Sequence, residues 1–284
     1  MKISLSKNNR VKIGLALSGG GARGFAHLGA IKAFEEYGIK FDFISGTSAG
    51  SLVGAFYAAG LGFDDMLNIA RKFDEKDIRT SKLMFVPSKT DGLEKIIIDN
   101  LGDIDITDLK IPFTATAVDL KTTQEVCFTK GSLAKTVAAS CCVPAVFQPV
   151  EYLNYNLCDG GLRNTMPADI PKLFGCDYVV AVDVNKSRLY GTESTKILDV
   201  ISCSIRILME ANVGKGYDYG DVVLRPETKR FSASKAEGFM DMIEEGYREA
   251  INKMPEILAL FNKKPLSRLA KSKLEKTLEK PIIE

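Results

Sequence analysis

Histidine is nearly absent: His27 is the single imidazole in 284 residues. That excludes most histidine-based metal centres and leaves almost no freedom to build a Ser-His-Asp triad. Six cysteines, at positions 127, 141, 142, 158, 176 and 203, form no C-x-x-C pair. Neither a zinc knuckle nor a thioredoxin-like site is suggested. The chain is too long to need a disulfide framework, so reduced thiols in a cytoplasmic protein are the simplest reading. An excess of charge is missing too. Thirty-eight Lys and Arg face 36 Asp and Glu, for a net +2, which leaves no electrostatic footprint for nucleic acid. There is no internal repeat and no low-complexity linker.

Long apolar runs are scarce, and the two that imitate targeting signals fail on detail. Lys2, Lys7, Arg10 and Lys12 precede Ile13–Leu17. That run is too short for a signal-peptide core and enters Ser18-Gly19-Gly20-Gly21 directly, as a buried strand feeding a glycine loop would. Residues Ile44 to Phe63 carry no charge over a length that could span a membrane. They also hold five glycines and four Ser or Thr, and Asp42, Asp64 and Asp65 bracket them. The small-residue spacing of Gly46, Gly50 and Gly54 then predicts a core helix that its neighbours approach closely, in place of a membrane dimer seam.

What remains is an ordinary globular composition, 45% apolar and 26% charged. Strand patterns are expected at 11–17, 41–45, 112–118, 125–129, 150–157, 177–184 and 222–224. Helical patterns are expected at 25–37, 48–59, 64–73, 92–101, 132–142, 167–174, 196–211 and 239–261, the last broken near Pro255. Strands alternating with helices predict an α/β, three-layer fold with a mostly parallel central sheet. Residues 13–175 read as the catalytic core and 176–261 as its completion. Between Asn262 and Lys280, seven basic residues face two acidic ones, with Leu266, Leu269, Leu274 and Leu278 interleaved. That stretch reads either as a solvated, frayed tail (262–284) or as a basic amphipathic segment resting on anionic headgroups.

Three glycine-rich loops carry the chemistry. The first is G-x-S-x-G at Gly46-Thr47-Ser48-Ala49-Gly50. It falls between a strand and a helix, where a serine on a sharp turn is exposed to substrate and flanking glycines remove clashing Cβ atoms. The second is Ser18-Gly19-Gly20-Gly21-Ala22-Arg23-Gly24. Its amides can converge on an anion, which is an oxyanion in acyl transfer or a pyrophosphate in a G-x-G-x-x-G nucleotide site. A dinucleotide fold wants an acid ending the next strand. Asp42 begins that strand, and its end delivers Ser48. The third loop, Asp159-Gly160-Gly161, places a carboxylate on a tight turn and is weak evidence by itself.

The scarcity of histidine joins the three. A serine nucleophile needs a base within hydrogen-bond reach, and His27 reads more readily as a packing or capping residue. A carboxylate must then take the role, with desolvation raising its pKa. In this order and context the loops resemble the patatin-like phospholipases, and the resemblance covers about residues 13–175. Ala138-Ala139-Ser140 with Pro144 and Phe147 adds to it.

The resemblance implies Ser48 as nucleophile, Asp159 as base, and the amides of Gly20, Gly21 and Ala22 as oxyanion hole. Gly19, Gly24, Gly46, Gly50, Gly160 and Gly161 would support the turns. Arg23 would brace its loop through a salt bridge or meet a lipid phosphate. The implied activity is carboxylic ester hydrolysis on a phospholipid or lysophospholipid, with no metal and no organic cofactor. The rivals are a serine peptidase or amidase, and a non-catalytic lipid-binding protein of the same fold. Val137, Ala138, Ala139, Val143, Val146 and Phe147 are read either as the lining of an acyl channel or as plain core. The expected location is cytoplasmic, with peripheral membrane contact through the basic C-terminal stretch.

Overall fold

Strand β1 (Ile13–Leu17) is buried on both faces, and its side chains divide the molecule into layers. The computed structural model describes residues 10–73, 87–185 and 195–284; Lys2 and Lys7 lie outside them. Ile13, Leu15 and Leu17 face the larger core. That core is built from helices α1 (Phe25–Glu36), α2 (Ala49–Ala59), α3 (Phe63–Lys72), α4 (Asp91–Leu101), α5 (Leu133–Ser140) and α9 (Phe239–Phe261). Ala16 faces a smaller cluster with Met166, Val179 and Ala181. There the short helices α6 (Asp169–Leu173) and α8 (Gly214–Tyr219) pack on each other. The period-two alternation of a sheet covered on both sides accounts for the three layers.

β1 pairs in parallel with β2 (Phe43–Thr47) and β7 (Tyr178–Val182). β3 (Phe113–Asp119) extends the parallel set beyond β2, and β8 (Val222–Leu224) extends it beyond β7. Three further strands turn on β3: β4 (Glu125–Phe128), β5 (Val150–Tyr152) and β6 (Tyr155–Asp159). β4 and β6 run antiparallel to β3, and β5 closes a hairpin on β6. The α/β architecture with a mostly parallel central sheet agrees with the sequence pattern. Residues 44–63 resolve into β2, the close-packed α2 and the turn after it. No helix among the described residues is long and apolar enough to cross a membrane.

Three sequence expectations change. The break near Pro255 is absent: α9 runs through it, with Met254, Ile257 and Leu260 buried on either side. Packing of that apolar face outweighs the one ladder bond a proline removes. Helix α8 is new, because a six-residue segment containing two glycines carries no helical period. The 262–284 stretch is docked and not frayed. Leu266 N–H donates to Asp177 Oδ1 at 2.8 Å, and Lys271 Nζ lies 2.7 Å from the same carboxylate. Helix α10 (Arg268–Thr277) follows, and β9 (Ile282–Ile283) pairs with the outer edge of β4.

Candidate active site

The geometry begins with how β3 shares its edges. β4 pairs with residues 115–118, so it occupies one edge along that length. β2 pairs with 113–116 and β6 with 117–119. Because a strand has two edges, β2 and β6 occupy the other edge in tandem, approaching from opposite ends. Thr47 sits opposite Thr116, and Asp159 sits opposite Ala117, the next residue along. The last residue of β2 and the last residue of β6 therefore arrive side by side. Ser48 follows Thr47 immediately.

Ser48 occupies φ 52°, ψ −125°, a sparsely populated region for a residue with a side chain. Several contacts hold it there. Its N–H donates to Ser140 Oγ at 2.9 Å, and its carbonyl accepts from Ser51 Oγ at 2.7 Å. Two residues on, the carbonyl of Leu17 packs directly on Gly50, where any Cβ would collide with it. Glycine there lets the end of β1 and the start of α2 touch, which brings the loop after β1 against the serine. A Cβ on Gly19 would sit 3.3 Å from Ser48 Cβ.

Asp159 is fully buried. Oδ1 accepts from Gly161 N–H at 2.8 Å, while Oδ2 makes no hydrogen bond of regular geometry. Burial pushes the carboxyl up to about 7, opposed by hydrogen bonds from Gly161 N–H and the Ser48 side chain. Cys141 lies on the same centre. Burial first, and then the charge of Asp159, push its thiol up to about 12, so it stays protonated.

The glycine loop is pinned on both sides. Ser18 N–H donates to Val182 O at 3.0 Å, and Gly19 N–H to Thr165 O at 2.9 Å. Asn185 Nδ2 holds Gly19 O at 2.6 Å. Ala22 departs from the expectation that its amide faces an oxyanion: its N–H is spent on Ala233 O at 2.8 Å. The half-buried Gly20 and exposed Gly21 amides make no such bond among the described residues. Arg23 is buried, and its Nε donates to Phe231 O at 3.1 Å, fastening the loop to the chain that follows β8. His27 is also buried; Nε2 donates to Ser18 O at 2.9 Å. Burial lowers it to about 4, so it is neutral and braces the loop. Gly24 lies against Ala49 at the start of α2, and Gly160 packs on Thr116.

Ser140, Asn164 and Asn185 complete the support, and none was assigned a role from sequence. Asn164 O accepts from Thr47 Oγ1 at 2.8 Å. Its Nδ2 bridges Glu125 (3.0 Å) and Asp169 (2.8 Å) beneath the site. Asn164 follows the D-G-G turn by three residues, but nothing in the local sequence foretells those partners. Among the described residues no cluster of side chains could hold a metal ion.

Residues 15–172, over half the chain, match the Patatin-like phospholipase family. The chain belongs to the patatin-like phospholipases. Neuropathy target esterase sws of Drosophila melanogaster is 34% identical over 181 residues, which is 61% of this chain and 13% of that protein. Lysophospholipase nte1 of Aspergillus fumigatus is 35% identical over 191 residues, 63% and 12% of the two chains. An uncharacterised NTE family protein of Mycobacterium bovis is 35% identical over 182 residues, 62% and 50% of the two. This patatin-like chain thus aligns with half or less of each of these relatives. In solved structures its fold resembles VipD of Legionella pneumophila, with a TM-score of 0.60, 14% identity, and coverage of 87% of this chain and 67% of that one. It also resembles the ExoU–SpcU complex of Pseudomonas aeruginosa, with a TM-score of 0.51, 14% identity, and coverage of 94% and 58%.

Proposed function

We propose that this patatin-like protein is a serine lipid acyl hydrolase working through a Ser48–Asp159 dyad. The observation that carries the reading is the tandem arrival of β2 and β6 on one edge of β3. It sets a strained serine beside a buried aspartate whose Oδ2 is uncommitted. The raised pKa supports it, because a base near 7 drives proton removal far better than a carboxylate near 4. Two relatives are named as esterase or lysophospholipase, and a carboxylic ester of a phospholipid or lysophospholipid is the proposed substrate.

As Ser48 Oγ attacks the acyl carbonyl, its proton passes to Asp159 Oδ2. The tetrahedral oxyanion forms toward the amides of Gly20 and Gly21, at the N-terminal side of α1. The C–O bond to the leaving alcohol then breaks, and Asp159 returns its proton to that oxygen. Water attacks the acyl-Ser48 ester while giving a proton to the same carboxylate. Fatty acid departs, and Ser48 regains its hydrogen.

A fluorophosphonate probe tests the nucleophile. The wild-type protein is expected to label, and Ser48→Ala is expected not to. Ser48→Ala and Asp159→Asn should each lower lysophospholipid hydrolysis by at least about a thousandfold. Normal turnover in either variant, or hydrolysis of peptides in preference to lipids, overturns the reading.

A further inference from the structure

Helix α7 (Ile197–Ala211) turns an apolar stripe outward. Ile197, Val200, Ile201, Ile207 and Leu208 are 70%, 45%, 40%, 47% and 58% exposed. At 100° per residue they fall within about a third of the helix circumference. Single exposed leucines are commonplace, whereas five on one stripe mark a surface built to be covered. The helix rises about 22 Å, too short to span a bilayer and suited to lying in its interface.

Its other side belongs to the site. Met209 packs over Gly161, and Thr165 Oγ1 donates to Met209 O. On the opposite flank, residues 225–238 reach the glycine loop through Ala233 and Phe231. That segment holds Arg225, Lys229, Arg230 and Lys235 against Glu227 and Glu237. Arg230 is paired with Asp241 and Glu245, and Lys229 and Lys235 are exposed. Ser48 thus lies between an apolar helix and a cationic segment, and it is itself only 5% exposed. Residues Lys264 to Lys271 of the lysine-rich stretch sit elsewhere: they cross Asp177 and Tyr178, at the strand ends opposite the site, and the residues after them run along β4.

We propose that the outer stripe of α7, with Lys229 and Lys235, seats the protein on an anionic phospholipid bilayer, and that the basic C-terminal stretch does not. The apolar side chains enter the headgroup–acyl boundary, the lysines meet lipid phosphates, and the Asp159 turn behind α7 faces the substrate. The inference deepens the lipid-hydrolase reading and rests on it for the substrate. Binding is read separately from catalysis.

The experiment is sedimentation of the full chain carrying Ser48→Ala with vesicles of phosphatidylcholine and phosphatidylserine, and with phosphatidylcholine alone. Adding Ile197→Asp and Leu208→Asp should weaken binding by about tenfold or more. Lys229→Gln with Lys235→Gln should weaken it severalfold on the anionic vesicles only, as added salt does. Lys263→Gln, Lys264→Gln, Lys273→Gln and Lys276→Gln together should bind as the parent does. With Ser48 restored, the α7 variant should hydrolyse a water-soluble short-chain ester at the wild-type rate, which checks its fold.

An environment-sensitive fluorophore on Ile197→Cys, the six native thiols being buried, should shift to the blue on anionic vesicles. Parental binding by the α7 variant, loss of binding in the tail variant, or an unmoved fluorophore overturns the proposal. So does a parent dimer that the α7 variant dissolves, which would assign the stripe to a second copy. If vesicles bind but no ester is hydrolysed, the catalytic reading fails and this one stands.

Discussion

Asp159 is fully buried, and its regular hydrogen bond comes from a neutral donor, the Gly161 N–H. Burial raises its pKa to about 7, against an unfolded value of about 4. Two consequences follow from the one shift. In the proposed role of base it must be ionised, so lysophospholipid hydrolysis should rise with pH through about 7 with the slope of a single proton. A rate that is flat from pH 5 to 8 would contradict the dyad. For stability the sign reverses. Between the two pKa values the folded state holds a proton that the unfolded state has lost, so stability falls as pH rises toward 7. Asp159→Asn removes that burden. It should raise the melting temperature at pH 8 and change it little at pH 4, as calorimetry can read. Glu125, pushed up to about 7 by burial and by Asp169, contributes to the same trend. If Asp159 is the base, as proposed, its burial sets its pKa where that role needs it, at a cost in stability.

The elbow is the unit at the next scale. A strand, one strained residue and a helix hold Ser48 only if the backbone at the turn is satisfied, and Ser140 at the end of α5 supplies the acceptor for its N–H. Ser140→Ala leaves that buried donor unpaired, at about 1–3 kcal/mol. The expected result is a fall in kcat of roughly tenfold to a hundredfold with KM nearly unchanged, partly restored by Ser140→Thr. An unchanged kcat would remove Ser140 from the positioning machinery. The elbow itself was legible in sequence, because G-x-S-x-G between a β-rich run and an apolar helix is a local pattern. The contribution of α5 was not. Ser140 lies 92 residues from Ser48, and no spacing rule reaches that far.

At the scale of the whole molecule, the C-terminal strand covers the exposed edge of β4. Glu284 N–H donates to Cys127 O at 3.0 Å, and Thr129 N–H donates to Glu284 O at 2.6 Å. Tyr155, whose hydroxyl this carboxylate pushes up to about 12, adds a side-chain bond at 2.5 Å. Deleting residues 281–284 should lower stability by about 1–3 kcal/mol and speed hydrogen exchange at the Thr129 amide. An unchanged exchange rate would show that the edge is closed by other means.

The same scale separates the two sources of information about this protein. Alternation and helical period fixed most elements to within a few residues, since those signals are written in neighbours. The shortage of histidine, with one serine elbow and one D-G-G turn, already pointed to a carboxylate base. Only the tertiary structure decided that β2 and β6 meet on one edge of β3, which is what puts Ser48 beside Asp159. It also decided that Ala22 is occupied by Ala233, and that Lys264 to Lys271 of the basic tail lie at the end away from the site while α7 lies beside it. Register between distant strands and the docking of one segment on another depend on which surfaces are buried together, and that is settled only when the whole chain packs.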